Sequence, residues 1–311
     1  MWFNRMSYSH STENQIVVSV PSSFYRDQVK QRYLDKIEEK IQELSGTGLD
    51  IDFEIRRVES PAPAPQKAKS KTAVLERPKV KSPHPNLRSE YTFENFVIGQ
   101  NNSFAANAAM AIARNPGTGY NPCLIYGGVG LGKTHLIQSI GNSVHQEFDN
   151  LKIVYVTMES FTNDFIQSIR EKRTQAFKNK YRYADVLLID DIHFLQKKPE
   201  TQEELFHTFN ALYDANKQMV FTCDRPVAEI RDLTDRLRSR FERGLNVDLQ
   251  PPSYETRYAI LKKKVDHTKI RIPEEVVELI CTNVTTNVRD IESALTKLVA
   301  YAELVDKDIS V

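Results

Sequence analysis

Gly127-Gly128-Val129-Gly130-Leu131-Gly132-Lys133-Thr134 decides the fold. The octet fits G-x-x-x-x-G-K-[ST]. It follows the apolar run Cys123–Tyr126 and opens an amphipathic stretch over 133–147, the strand–loop–helix setting that the motif requires. Four of the chain's 11 glycines fall within it. Such a loop turns its backbone N–H groups inward around phosphate, with φ values that a Cβ resists. The helix that follows adds roughly half a positive charge at its N-terminus. Lys133 then reaches the β- and γ-phosphates of a nucleotide, and the Thr134 hydroxyl ligates Mg²⁺.

The partner of such a loop is a buried strand ending in acid, and Val186-Leu187-Leu188-Ile189-Asp190-Asp191 supplies it. Asp190 holds Mg²⁺ through its coordination shell and Asp191 orients the attacking water. Aspartate at the second position is one methylene shorter than glutamate, so slow hydrolysis is expected. Asp235-Arg236-Leu237-Arg238-Ser239-Arg240-Phe241 presents three arginines within five residues. A solvated basic face is the ordinary meaning of such a run. The sharper meaning is an arginine finger given to a neighbour's γ-phosphate. Arg289, after Asn287, is either a sensor in the chain's own site or a partner of Asp290.

Working outward, the apolar runs Cys123–Tyr126, Ile153–Val156, Val186–Ile189 and Met219–Cys223 are short and continuous, as in a parallel sheet covered on both faces. Amphipathic stretches over 133–147, 160–180 and 201–216 alternate with them, and Thr201 with Glu204 reads as a capping box for the last. The expected fold is α/β, a P-loop nucleotide-binding domain over 90–250. An α-helical subdomain over 251–311 follows, with helices at 254–267, 274–283 and 288–304. Ahead of these lies a small α/β unit over 1–58. It has a strand at Ile16–Val20, a helix running to about Leu44, and a strand in which Leu49, Ile51, Phe53 and Ile55 alternate with acids.

Residues 59–89 hold six of the 14 prolines and seven Lys/Arg against Glu59 and Glu76, a local +5. They read as an extended basic linker. Over all 311 residues, 42 basic and 41 acidic side chains leave a net charge of +1, so the remainder carries +1 − 5 = −4. Near-neutrality therefore does not exclude a nucleic-acid role, though it argues for weak binding to duplex DNA. The 40% apolar and 27% charged composition excludes a disordered chain. No apolar run approaches the ~20 residues of a membrane helix and no signal core opens the chain, so a cytoplasmic location is expected. Cys123, Cys223 and Cys281 are widely spaced and odd in number, which reads as buried thiols. The seven histidines are dispersed, with no Cys/His spacing suited to zinc, and there is no G-x-S-x-G nucleophile elbow.

Taken together these residues resemble the AAA+ ATPases and, more narrowly, the bacterial chromosomal replication initiators of the DnaA family. The likeness spans essentially the whole chain. It is carried by YTFENFVIG at Tyr91–Gly99, GGVGLGKTHL, LLIDDIHFLQ, QEELFHTFNAL, FTCDRP, DRLRSRF and NVRDIESAL. The resemblance implies that Val97 and Ile98 line an adenine pocket. It implies that Gly128, Gly130, Leu131, Gly132, Lys133, Thr134 and His135 bind the nucleotide, with ATP/ADP and Mg²⁺ as cofactors. By the same likeness Asp224 matches sensor I, Arg289 matches sensor II, Arg240 matches the arginine finger and Arg236 a second interface arginine.

The stretch around 160–180 resembles the insertion that initiators use to line a channel for single-stranded DNA. Lys198 matches a lysine of that channel, with Lys197 beside it. Glu200 stands where the family usually carries arginine, and a carboxylate there repels phosphate. Other implied partners are origin DNA, further copies of the chain, the replicative helicase through the N-terminal unit, and acidic phospholipids. The implied function is ATP-dependent initiation of chromosomal replication. ATP binding drives head-to-tail assembly and duplex opening, and slow hydrolysis is the off-switch. A helicase loader or an initiator-regulating homologue is the alternative. Relative to the family, the chain is expected to lack the opening helices of the first domain and the C-terminal helix-turn-helix domain.

Overall fold

In the computed structural model of this chain the described residues are 7–11, 15–20, 50–55, 81–266, 268, 270–305 and 309. The chain divides into two units, Met1–Leu75 and Glu76–Val311. In the first, strands β1 (Ser7–Ser11), β2 (Gln15–Val20) and β3 (Asp50–Ile55) form a sheet in that order. β1 and β2 are antiparallel, and β2 and β3 are parallel. Ile51 and Phe53 are buried while Asp52 between them is exposed, the expected alternation of a half-buried strand. β1 was not anticipated from the sequence. The helix expected up to about Leu44 lies outside the described residues.

The second unit is built on five parallel strands in the order β5-β6-β7-β4-β8: β4 (Cys123–Tyr126), β5 (Ile153–Thr157), β6 (Val186–Asp190), β7 (Gln218–Cys223) and β8 (Leu245–Asp248). The continuous apolar runs have the expected cause. Leu187 and Ile189 of β6 enter one core cluster with Phe209, Phe221 and Phe241, while Val186 and Leu188 enter another with Leu136, Ile140 and Val220. Strands β4 to β7 thus serve two layers of helix. Helices α1 (Ser103–Arg114), α2 (Lys133–Glu147), α3 (Met158–Arg170), α4 (Thr174–Tyr181), α5 (Pro199–Asp214) and α6 (Asp235–Glu242) cover the sheet. Three further helices, α7 (Tyr254–Val265), α8 (Glu274–Asn283) and α9 (Val288–Val305), have a separate core around Leu261, Val277, Cys281 and Ile291. The three cysteines are buried and free, one in each of the three clusters.

Three sequence expectations need correction. The stretch 160–180 is not one helix: α3 begins at Met158, where Thr157 Oγ1 accepts the Ser160 N–H at 3.2 Å, and the chain breaks at Lys172 with φ +56° before α4. The two helices fold against each other through Phe161, Phe177 and Tyr181, with ring centroids 4.7–5.2 Å apart. The Thr201–Glu204 capping box is absent. Pro199 starts α5 at its first position, Lys198 is the N-cap, and Glu204 accepts instead from Arg182 at 2.7 Å. Finally, the second unit reaches back into the expected linker. Leu87 is buried, its side chain lying where a Cβ on Gly141 would meet it at 2.7 Å. The Arg88 N–H donates to Gln138 Oε1 at 2.9 Å, and Asn142 Nδ2 donates to the carbonyls of Arg88 and Tyr91 at 2.8 Å each. Residues 81–91 therefore lie along α2.

Candidate nucleotide site

The strand order places β4 between β7 and β8, although β5 follows it in sequence, so the chain switches direction across the sheet at β4. Ligands of open α/β sheets bind outside the carboxyl ends of the strands at such a switch. The residues expected to act follow those ends. The glycine loop follows β4, Asp190 ends β6 and Asp224 follows β7. The Gly127 N–H donates to the Cys223 carbonyl at 3.2 Å, which ties the start of the loop to the end of β7.

Between this edge and the helices α7 and α9 lies a cleft of about 650 Å³. Gly130, Leu131, Gly132, Lys133, Thr134 and His135 form its floor, with Asp191, Asp224 and Arg289 around it. Gly130 has φ +74°, and a Cβ there would meet Asn287 Oδ1 at 2.6 Å. Gly132 has φ +97°, and a Cβ would meet the Phe96 ring at 3.0 Å. The glycines thus serve close approach as well as backbone conformation.

Lys133 is buried, and its ammonium donates to the carbonyls of Gly127 and Gly128 at 2.7 Å each. Burial lowers its pKa, and the nearby Asp191, Asp190 and Asp224 act in the opposite sense. The Thr134 hydroxyl donates to Asp190 Oδ2 at 2.8 Å. The Tyr155 hydroxyl donates to the same oxygen at 3.1 Å, and Thr222 donates to Oδ1. Asp191 has φ +61°, and its N–H donates to Thr222 Oγ1 at 2.8 Å. Burial, reinforced by the charge of Asp190, raises the Asp191 pKa. Asp224 is gripped by Arg225 through two bonds of 2.8 Å, and the guanidinium holds its carboxyl below the usual range.

The opposite wall is apolar and aromatic. His135 stacks on Tyr91 with ring centroids 4.8 Å apart, meets Phe96 edge-on at 5.3 Å, and contacts the Thr92 carbonyl through Nε2 at 2.9 Å. Burial lowers the His135 pKa, which favours a neutral ring. Val97 lines the cleft, whereas Ile98 is exposed and lies outside the lining. Gly128 also lies outside it, and contributes its carbonyl to Lys133. Asp190 sits behind Thr134.

Arg289 lines the cleft, and the Asp290 carboxylate is engaged by Thr286 and Asn287 at 2.6 and 2.8 Å. Of the three arginines of α6, Arg238 is structural, donating to the carbonyls of Val227 and Ile230 at 2.9 and 3.2 Å. Arg236 is exposed, and the Arg240 guanidinium lies over the Phe206 ring at 5.8 Å. Neither lines the chain's own cleft. Lys197 and Glu200 are exposed and Lys198 is half-buried, all at the start of α5.

Sequence reasoning missed several residues that shape the site. Buried Asn102 accepts the Gly99 N–H at 2.8 Å and donates to the Val97 carbonyl at 3.0 Å, fixing the segment that carries Val97. Thr222 positions both aspartates, and its one signal is a hydroxyl within the apolar run of β7. Asn287, His193 and Tyr91 stand inside the motifs quoted above, but neither charge nor spacing singles them out.

The comparisons agree with this geometry. A family model for the bacterial DnaA ATPase domain matches residues 87–248, and one for the DnaA N-terminal domain matches residues 1–43. The chromosomal replication initiator protein DnaA of Treponema denticola is 54% identical over 323 aligned positions, covering 99% of this chain and 69% of that protein. The crystal structure of domain III of Thermotoga maritima DnaA superposes with a TM-score of 0.70 at 47% identity, covering 72% of this chain and 93% of that one. A replication initiator DnaA bound to AMPPCP and single-stranded DNA superposes with a TM-score of 0.64 at 35% identity, covering 68% of this chain and 65% of that one. With its glycine loop, paired aspartates and helical lid, this chain belongs to the DnaA family of bacterial chromosomal replication initiators, AAA+ ATPases that bind nucleotide.

Proposed function

We propose that the cleft binds ATP with Mg²⁺, and that ATP-bound copies of the chain stack head to tail on origin DNA to open the duplex. The observation that carries this reading is a divided set of cations. Lys133 and Arg289 face the chain's own cleft, while Arg240 and Arg236 stand on α6 outside it. A neighbour presenting α6 to the cleft supplies the missing charge. Such a heterologous contact, repeated with a screw operation, gives an open filament.

The residues fit the cofactor. The hydroxyl of Thr134 and the carboxylate of Asp190 are the hard oxygen pair that Mg²⁺ prefers. When bound, the ion neutralises and orients phosphate oxygens. Lys133 is held at the loop by its own backbone, ready for phosphate. Asp191 orients water, and burial makes it a stronger base than an exposed aspartate. His135, Tyr91 and Val97 suit a purine base. ATP acts chiefly as a conformational ligand, shifting assembly by its differential affinity for the competent state. Hydrolysis is the slow off-switch.

The DnaA structure that holds single-stranded DNA supports strand binding here, with the α3–α4 pair and Lys198 and Lys197 as the contact region. We assign 1–58 to an interaction domain for self-association and for the replicative helicase, and the part of the linker ahead of residue 81 to a tether. The ATPase domain and its lid take 90–250 and 251–311. Acidic phospholipids and a cytoplasmic location complete the proposal. Among the described residues no helix is long and apolar enough to cross a membrane.

Light scattering with ATP against ADP tests the reading, repeated with single-stranded DNA at two salt concentrations. Arg240→Ala is expected to keep ATP affinity and lose the ATP-dependent oligomer. Unchanged oligomers in that variant would overturn the division of cations. Lys133→Ala is expected to lose nucleotide binding, and retained tight binding would overturn the loop assignment.

A further inference from the structure

We propose that His193 Nδ1, Cys223 Sγ and Asp224 Oδ1 form a site for one zinc-class divalent ion at the edge of the nucleotide cleft, and that its occupancy slows ATP hydrolysis. The three atoms lie within 4.8 Å of one another, and among the described residues no other group of three or more His, Cys, Asp and Glu side chains is so placed. His193 Nδ1 is 3.5 Å from Asp224 Oδ1, and Cys223 Sγ is 3.8 Å from the same oxygen. Donors on a tetrahedral zinc with bonds of about 2.0–2.3 Å stand roughly 3.5 Å apart. Two of the three spacings are therefore near those of a formed site, and the third is no more than 4.8 Å.

The donor chemistry separates this trio from the Mg²⁺ position. Thr134 and Asp190 offer oxygen alone, whereas imidazole, thiolate and carboxylate together select zinc-like ions. A second observation concerns His193 itself. Its Nδ1 atom is shielded from solvent and makes no hydrogen bond among the described residues. It faces the carboxylate oxygens of Asp224 at 3.5 Å and Asp191 at 4.0 Å without a hydrogen bond to either, and a metal ion satisfies it more fully. The framework is firm: Cys223 is buried at the end of β7, whose carbonyl holds the Gly127 N–H, and His193 stands on a 3-10 turn, Ile192–Leu195.

Two features oppose binding, and neither prevents it. Arg225 occupies both Asp224 oxygens, but its side chain is 44% exposed and the pair is screened by water. The guanidinium turns to solvent when the ion takes the carboxylate. Burial pushes the Cys223 thiol up to about 11, so the ion must displace a proton to solvent and affinity rises with pH. Three protein donors leave a fourth position for water, facing the cleft that His193 and Asp224 line. Asp224, held by the ion, is then withdrawn from the hydrolytic centre.

Binding and inhibition are separable, since only the second rests on the ATPase reading. Titration of the nucleotide-free full chain with Co²⁺ is expected to give thiolate-to-cobalt charge-transfer absorption saturating at one equivalent, and Zn²⁺ to bleach it. Cys223→Ser should abolish the band, and His193→Gln should weaken Co²⁺ binding at least tenfold. Cys123→Ser and Cys281→Ser should leave it intact. In steady-state ATPase assays with excess Mg²⁺, stoichiometric zinc is expected to slow the unaltered chain several-fold. Cys223→Ser, judged against its own zinc-free rate, should ignore zinc. Absence of the band, or its survival in folded Cys223→Ser, overturns the site. Equal zinc inhibition with and without Cys223 overturns the regulatory half.

Discussion

The backbone N–H of Val288, at the first position of α9, donates to the carbonyl of Gly130 in the phosphate loop at 3.0 Å. The lid is thus joined to the loop by main chain, and Asn287 and Arg289 pack against the bare Cα of Gly130. This seam offers a main-chain route from the cleft to the lid that needs no side-chain relay.

Gly130→Ala therefore tests the seam. Its φ of +74° and the 2.6 Å approach of Asn287 leave no room for a methyl group. Backbone strain of about 1–3 kcal/mol should lower ATP affinity roughly tenfold, measured by calorimetric titration, while the far-ultraviolet spectrum of the fold is retained.

Thr222→Val removes the hydroxyl that donates to Asp190 and accepts the Asp191 N–H. A buried amide and a carboxylate oxygen lose their partner, at a cost of about 1–3 kcal/mol. Thermal unfolding should shift down and ATP turnover should fall. Thr222→Ser keeps the hydroxyl and should restore most of both.

Asp191→Asn should stabilise the fold while stopping hydrolysis. The folded-state pKa of Asp191 is raised, so the native state favours its protonated form. Its contribution to stability is fully present below the unfolded-state pKa and is lost as pH rises through the folded one. At neutral pH the charge is a liability, which the amide removes. Melting temperature against pH in both proteins checks this: the variant should melt higher at pH 7, and the gap should close toward the acid range.

Glu200→Arg should strengthen binding of single-stranded DNA by the ATP-assembled chain and steepen its salt dependence by about 0.7 in log–log slope. The exposed carboxylate lies in the first turn of α5, where it favours the helix dipole, so the same change should cost about 0.3–1 kcal/mol of stability. Fluorescence anisotropy at two salt concentrations, with a parallel unfolding curve, reads both effects.

The parts of this molecule legible in its sequence are those where chemistry restricts residue choice. Phosphate demands glycine and lysine at fixed spacing, and a sheet covered on both faces demands the unbroken apolar run of β6. The lid helices could be placed to within two residues. Other parts were opaque for physical reasons. Helix α1 buries Ala105, Ala106, Ala108, Ala109 and Ala113, whose small side chains give little periodic contrast. β8 buries only Val247 and has no run to recognise. Asn102, Thr222 and Asn287 are ordinary polar residues until folding brings them to a carbonyl, an aspartate or a glycine loop. Arg238 looked like its neighbours in DRLRSRF, and only the carbonyls of Val227 and Ile230 distinguish it.

Helix α5 has a mechanical consequence. Its N-cap is Lys198, and eight residues on, about 12 Å along the axis, Phe206 carries the Arg240 guanidinium. Under the proposed assembly one rigid rod therefore holds the strand at one end and reports a neighbour's triphosphate near its middle. A change at either contact then has one helix, and no loop, to cross before it reaches the other.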